Sequence, residues 1–508
     1  MDWHLDHQSI GRGTYVLSSW LFLRALGVVY GIAFISLALQ VQGLIGRGGI
    51  LPAAELLEQE KRLWGTRRFL LLPSVCWWNC RDGFLKFVCW AGAFLSVLLV
   101  LGIAPVPMLV LLWLLYLSLF TVCRIFLSYQ WDILLLETGF LAIFMAPLEL
   151  LPSWPPAASP SPVILWLAYW LLFRLMFGSG IVKWRSSDPT WRKLTALKYH
   201  YETQPLPTAL SWYVHQLPGW VHKFSTLAML AIEIVFPLFL FGPLPLRYVA
   251  ATAFVLLMLL IMFTGNYCFF NLNAIALCLL VIDDSIYLPA LHFLFGNFPA
   301  TVPQVSPWPW WIIVPVALLI LILSLGRLLQ LFRVQARWIA LLEQFSGWFE
   351  PFRLVNGYGL FSVMTSVRLE IIIEGSHDGE TWLSYEFKWK PGDVKHPPRW
   401  VQPHQPRLDW QMWFAALSDY HANPWFIAFL IRMLQGKREV LALVQTNPFP
   451  DKPPRLIRAV LYEYHFTDFR TRRATNAWWR RERRWLYSPV LSLRGREEQF
   501  SPPADFRS

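Results

Sequence analysis

Charge is what this 508-residue chain has least of: Asp, Glu, Lys and Arg together make up 15% of it, where soluble domains carry roughly a quarter. From Phe87 to Cys123, and again from Tyr248 to Ile282, no charged residue occurs. Such runs exclude a protein wholly surrounded by water. Cysteine is scarce too. There are six (Cys76, Cys80, Cys89, Cys123, Cys268, Cys278) and none follows residue 278, which excludes a disulfide-stapled C-terminal domain. Cys76 and Cys80 lack C-x-x-C spacing and read as small buried hydrophobes. No N-x-[ST] sequon is found, which argues against an extensively glycosylated domain. Also missing are a G-x-S-x-G elbow, a complete P-loop and a Cys/His set with zinc spacing. None of these enzyme signatures is present, and no metal or cofactor is expected.

What is present is apolar and aromatic. The chain is 56% hydrophobic with 29 Trp and a mean hydropathy of +0.42, and the last third is charge-rich. This predicts a polytopic α-helical membrane bundle followed by a soluble α+β domain with a β-sheet core. Against the roughly 20 apolar residues needed to cross a bilayer, nine spans are predicted: 20–40, 84–104, 107–127, 131–150, 163–182, 224–241, 248–265, 268–282 and 309–326. Pro105 and Pro107 divide one long run into a hairpin, since proline cannot continue a helix. The organisation expected is a polar tail over 1–19, a multi-span domain over 20–341 with an interfacial loop at 183–223, and the soluble domain over 342–508. The polar start argues against a cleavable signal peptide.

The few charges inside these spans need partners. Arg24, Glu137, Arg174 and Glu233 sit within apolar segments, where an ionised group costs at least about 2.5–3.5 kcal/mol. Together with Asp132 they form the expected intramembrane polar core. Asp132 and Glu137 in YQWDILLLETG are about 140° apart around a helix, so they cannot share one face as a dyad. Asp132, beside Tyr129 and Trp131, is placed at the interface; Glu137 is expected deeper, paired with Arg174 or Arg24.

The loop SDPTWRKLTALKYHYETQPLPT predicts an amphipathic helix with Asp188 as N-cap and Trp191, Leu194, Leu197 and Tyr201 on one face. It is read as lying in the interface, or as a lid over a cavity. In the last third, VRLEIIIEGSHDGETWLSYEFKWK predicts two strands around Asp378-Gly379. RLDWQMWFAALSDY and NPWFIAFLIRMLQG predict helices, and RLIRAVLYEYHF a strand. The basic, Trp-rich tail RTRRATNAWWRRERRW points to an anionic lipid surface rather than nucleic acid, given the adjoining membrane domain.

Several unusual words, WDILLLETGFLAIF, FRLMFGSGIVKW, DPTWRKLTALKYHYETQPLPT, FTGNYCFFNL, NGYGLFSVMT, IEGSHDGETW, PHQPRLDWQMWFAAL and NPFPDKPPRLIRAVLYEY, resemble the lipase maturation factor family over most of the chain. The resemblance implies a multi-span protein, of the endoplasmic reticulum membrane in animals, that helps secreted lipases become folded, active and assembled. It implies a lumenal C-terminal domain associated with client maturation. The missing sequons and C-terminal cysteines depart from the family and suggest a bacterial or divergent member, for which the bacterial inner membrane is the corresponding location. At FGSGIVKW the membrane half is also similar to the small-Gly-x-x-Lys segment of vitamin K-dependent carboxylase and related proteins, where a lysine does proton chemistry. Lys183 is the matching position.

Two functions follow. In the first, the chain is a folding or assembly factor whose partners are the bilayer and an exported client such as a lipase. Arg407, Asp409 and Trp410 then border a client-binding face, with an inward-packed aromatic stripe as the competing reading. In the second, it is a membrane enzyme acting on a lipid or peptide through a bundle pocket containing Lys183 and Glu137, against which stands the tendency of span-end lysines to reach for the interface. A lined pocket at Lys183 would speak for the second. Lys and Arg cluster in 41–83, in 183–223 and after Arg327, all on one side of a nine-span bundle. Positive-inside counting makes that side cytoplasmic; the resemblance makes it lumenal or periplasmic.

Overall fold

The computed structural model describes residues 13–152, 156, 159–295, 308–332, 337–494 and 499–500. Most of the N-terminal tail expected over 1–19 lies outside the described residues. Among these, seven helices are long and apolar enough to cross a membrane: Val16–Ala38, Asp82–Leu101, Pro105–Phe126, Pro162–Arg185, Gly219–Phe241, Leu244–Thr264 and Trp310–Leu331.

Among the described residues the nine expected spans are therefore corrected to seven by length and composition. Segments 131–150 and 268–282 form the shorter helices Gln130–Met145 and Phe270–Leu279, roughly 24 and 15 Å long and short of a hydrocarbon core of about 30 Å. The cause is their polar content. Asp132, Glu137, Thr138, Asn271 and Asn273 are all buried, and groups of that kind are tolerated only when protein shields them from lipid. These two helices are the polar interior of the bundle. The proline-split hairpin forms as expected, with Gly102 in the left-handed region closing the first arm and Pro105 opening the second.

The N-terminus of the first span has no local side-chain cap. Asp284 supplies one, accepting hydrogen bonds from the Val16, Leu17 and Ser18 amides at 2.8, 3.0 and 3.1 Å. A carboxylate suits both the free N–H groups and the positive end of the helix dipole.

Among its described residues the C-terminal region carries seven antiparallel strands: β1 (Arg368–Ser376), β2 (Leu383–Ser384), β3 (Glu386–Phe387), β4 (Val444–Thr446), β5 (Leu456–Phe466), β6 (Trp479–Arg494) and β7 (Gln499–Phe500). The main sheet has the order β2-β1-β5-β6-β7, and β3 pairs with β4 apart from it. Eight of the nine residues of β1 are buried, as expected of a central strand covered on both faces. The second strand of the Asp378-Gly379 hairpin changes sheets: Leu383–Ser384 pairs with β1, whereas Glu386–Phe387 pairs with β4. Helices Arg407–Ala415 and Pro424–Leu434 form where expected. The basic Trp-rich tail is corrected to a short helix, Phe469–Thr475, followed by β6 in the sheet. Its alternating large residues let one side pack, as buried Trp479 does. One continuous hydrophobic core runs from the first span into the sheet and helices of the C-terminal domain.

Candidate functional site: a charged seam between bundle and domain

The Gln130–Met145 helix presents its two acids in different directions, as their spacing requires. Asp132 meets Arg407 of the C-terminal domain, with Nη1 to Oδ2 at 2.6 Å and Nη2 to Oδ1 at 2.8 Å. The phenol of Tyr116 donates to the same carboxylate at 2.5 Å, and Arg407 Nη1 also reaches the Phe126 carbonyl at 2.9 Å. Both charged side chains are fully buried. Burial alone would lower the Arg407 pKa, but the adjacent carboxylate outweighs it and holds the guanidinium above its ordinary value. The two-pronged geometry is one that Arg can make and Lys cannot.

Around this pair the end of the first span is tied to residues 404–407. Ser36 Oγ accepts the Gln405 amide at 2.8 Å and lies 2.9 Å from His404 Nδ1, and Gln40 accepts the Arg407 amide at 2.9 Å. Burial and the nearby Arg407 lower the His404 pKa to about 4. The imidazole is therefore neutral near pH 7.

Glu137 points the other way. It bonds to Arg174 of the Pro162–Arg185 span, as the sequence led us to expect. It also accepts the Asn356 amide at 2.8 Å, the Asn356 side chain at 3.1 Å and the Tyr358 hydroxyl at 2.8 Å. The NGYG word is thus a plug inserted into the bundle. Gly178 makes room for it, because a methyl group there would lie 2.8 Å from the Tyr358 carbonyl oxygen.

The seam has members that the sequence did not single out. Arg368 of β1 is fully buried and donates to the carbonyls of Glu202 at 2.8 Å, Gln204 at 2.5 Å and Pro205 at 3.0 Å, and to Glu370 at 2.6 Å. Lys390 completes that cluster, 2.9 Å from Glu370. Asn266 accepts the Val401 amide at 2.8 Å and donates to the Arg399 carbonyl at 2.8 Å. One signal for Arg368 was available: in VRLEIII an arginine and a glutamate two residues apart share one face of a strand that is otherwise apolar, and neither is cheap to bury without a partner.

The third intramembrane acid, Glu233, pairs with Lys183, whose amine lies 2.6 and 2.7 Å from the two carboxylate oxygens. This corrects the reading of Lys183 as a residue reaching for the interface: both side chains are buried. Gly180 permits the approach, since a methyl there would come within 2.5 Å of Ile234. A cavity of about 340 Å³ lies beside the pair, lined by Met258, Tyr267 and the interfacial loop. The single amphipathic helix expected in that loop forms as two short ones, Pro189–Arg192 and Ala196–Thr203, because Leu194 takes a left-handed conformation between them. Asp188 caps the first as expected, accepting the Thr190 amide at 2.8 Å. Trp191, Leu197 and Tyr201 face inward, so the loop roofs the cavity.

Of the expected polar core, Glu137 joins Arg174, and Glu233 joins Lys183. Arg24 joins neither; its guanidinium lies over the Trp20 ring, 4.4 Å from the centroid. Asp132 is fully buried where the bundle meets the C-terminal domain. The expected client face at Arg407, Asp409 and Trp410 is corrected. All three are at most 3% exposed, because the helix that carries them is wedged between sheet and bundle. Asp409 accepts the Trp389 and Lys390 amides at 2.9 Å each, and burial raises its pKa to about 6. Trp410 stacks edge-on against Trp131, 4.7 Å between ring centroids. Lys183 and Glu137 do not share a pocket, for Glu137 is absent from the cavity wall and its oxygens are engaged by Arg174, Asn356 and Tyr358. The lined pocket that would speak for an enzyme is present, but its lysine is held by both oxygens of Glu233 rather than free to act as a base.

Residues 17–288 match the family model described as the lipase maturation factor transmembrane domain. Residues 354–489 match that of the lipase maturation factor C-terminal domain. The chain belongs to the lipase maturation factor family. It is 38% identical to lipase maturation factor 2 of Gallus gallus, covering 93% of this chain and 81% of that protein. It is 35% identical to lipase maturation factor 2 of Homo sapiens, over 93% and 82%, and 34% identical to lipase maturation factor 1 of Mus musculus, over 96% and 89%. No solved structure matches it. As a lipase maturation factor family member the chain is an integral membrane protein, and the words that carried the resemblance meet at the seam. WDILLLETG contributes Asp132 and Glu137, FRLMFGSG contributes Arg174 and Gly178, FTGNY contributes Asn266, NGYG contributes Asn356 and Tyr358, and PRLDW contributes Arg407 and Asp409.

Proposed function

We propose that this protein is a membrane-fixed platform that assists the folding, maturation or assembly of exported proteins, lipases among them. The relatives' names supply the client class. The observation that carries the reading is the Asp132–Arg407 pair with the seam around it. A soluble domain joined to its anchor only by a linker would be free to swing, whereas buried, mutually neutralised charges on both partners make bundle and domain one body. The client meets the outward side of that domain, since the helix bearing Arg407 and Trp410 is enclosed. The membrane is that of the endoplasmic reticulum, with the domain in the lumen where exported clients fold. Arg470, Arg473, Arg480 and Arg483, all exposed, give β6 and the helix before it a surface suited to anionic lipid headgroups.

The test is co-expression with a secreted lipase in cells that lack their own maturation factor. Secreted lipase activity rises with the intact protein and not with an empty membrane control. No gain in secreted activity, with the protein abundant and inserted, would defeat the proposal.

A further inference from the structure

The cavity beside Lys183 and Glu233 has no part in the seam, and its chemistry is specific. Its volume of about 340 Å³ falls within the roughly 300–1,000 Å³ of small-molecule sites. The wall is mostly aliphatic and thioether: Met176, Leu197, Met229, Leu257, Met258 and Ile261. Such methionines adapt to irregular apolar ligands. Its polar end is uncharged overall. The Lys183 amine and the Glu233 carboxylate neutralise each other, and burial lowers the His200 pKa to about 4, leaving that imidazole neutral. His200 and Tyr267 lie within 3.3 Å, and Tyr267 donates to Gln204 at 3.2 Å. Neither an anion nor a cation would find an unmatched counter-charge, whereas a hydroxyl or carbonyl would find hydrogen-bonding groups.

The position of the mouth decides what can enter. Two wall residues are also exposed on the outer surface: Leu260, 61% exposed on the Leu244–Thr264 span, and Leu217, 43% exposed just before the Gly219–Phe241 span. Both flank the gap between the Gly219–Phe241 and Leu244–Thr264 spans, near the ends beside the C-terminal domain, where Phe263 meets Trp400. The loop helix Ala196–Thr203 covers the other side with Leu197, His200 and Tyr201.

We propose that this cavity is a binding site for a neutral single-chain lipid, a monoacylglycerol or long-chain alcohol, that enters from the bilayer between these two spans with its hydroxyl end toward Lys183, Glu233 and His200.

The experiment uses the full chain in phosphatidylcholine nanodiscs and a monoacylglycerol bearing a diazirine in its acyl chain, with labelled peptides mapped by mass spectrometry. Label is expected on residues 197–201, 225–233 and 257–264. It is lost in Met258→Trp, which fills the cavity, and in Leu260→Trp, which blocks the mouth with a side chain that is already exposed and so leaves folding intact. Unlabelled monoacylglycerol competes more strongly than the corresponding fatty acid. Label confined to outward-facing positions such as Val249 and Leu256, or unchanged in Leu260→Trp, overturns the site. Stronger competition by the fatty acid overturns the neutral ligand class.

Discussion

Arg407 and Asp132, 275 residues apart in the chain, form a buried two-pronged ion pair that crosses from the C-terminal domain into the membrane bundle. Removing one member of such a pair strands the other charge in a low-dielectric setting, at a cost of about 3–5 kcal/mol. Arg407→Gln should therefore lower the thermal midpoint of the detergent-solubilised protein and expose the domain to protease. Arg407→Lys should recover only part of the loss, because an ammonium cannot bridge both carboxylate oxygens. Adding Asp132→Asn to Arg407→Gln should recover stability by removing the stranded charge. Strictly additive losses in the double variant would mean that the pair contributes nothing as a unit.

Glu137 tests the same logic at the plug. Glu137→Gln removes the charge that faces Arg174 and weakens the hold on Asn356 and Tyr358. The expected result is a loss of similar size, about 3–5 kcal/mol, partly reversed by Arg174→Gln. Tyr358→Phe should cost about 1.5–3 kcal/mol, the range for one hydrogen bond to a charged group. A Tyr358→Phe variant as unstable as Glu137→Gln would assign the plug's stability to the phenol instead.

Asp409 gives the domain a pH dependence of definite sign. Its folded pKa is raised to about 6 from an ordinary carboxylate value near 4, so the folded state holds this proton more tightly than the unfolded one. The associated stability is fully present below about pH 4 and is lost as pH rises through about 6, amounting to about 3 kcal/mol by pH 7.5. Asp409→Asn keeps an acceptor for the Trp389 and Lys390 amides but carries no charge. Relative to wild type its stability should be lowest at low pH and improve as pH rises through about 6. Thermal midpoints of both proteins at pH 4.5, 6 and 7.5 check this, and a difference that does not change with pH refutes it.

Orientation is testable at the Asp378-Gly379 hairpin. Ser376 is buried, whereas Glu380 is exposed, so Glu380→Cys is the position to label, in a Cys80→Ser background that removes the one native thiol that is not buried. With the domain in the lumen, an impermeant maleimide reacts only after the endoplasmic reticulum membrane is opened. Reaction once the plasma membrane alone is opened would place the domain in the cytosol, as the Lys and Arg distribution by itself suggests.

Much of the fold was legible from local pattern. Charge-free runs identified spans, two prolines marked the hairpin, and alternation around Asp378-Gly379 marked strands. Period and length erred where side-chain partners decide the outcome. Segments 131–150 and 268–282 are apolar enough to suggest spans, yet Asp132, Glu137, Asn271 and Asn273 draw them inside the bundle as shorter helices. The Arg- and Trp-rich stretch after Thr467 read as a tail because its charges hide a strand whose ordering depends on β5, its neighbour in the sheet.

For the seam, the chain by itself determined that the spans hold charges too costly to leave unpaired, that Asp132 and Glu137 face different ways, and that Glu137 needs a cation. These follow from helical geometry and from the expense of an isolated charge in hydrocarbon. Only the tertiary structure decided the partners. Arg407 and Asp409 have the composition of a binding face, and nothing local distinguishes an arginine reaching outward to a client from one reaching inward to a carboxylate 275 residues away. Likewise Lys183 stands at the end of a span, where its surroundings in sequence suggest the interface. The Gly219–Phe241 span brings Glu233 to it, because a buried carboxylate and a buried ammonium each supply what the other would otherwise have to obtain from water.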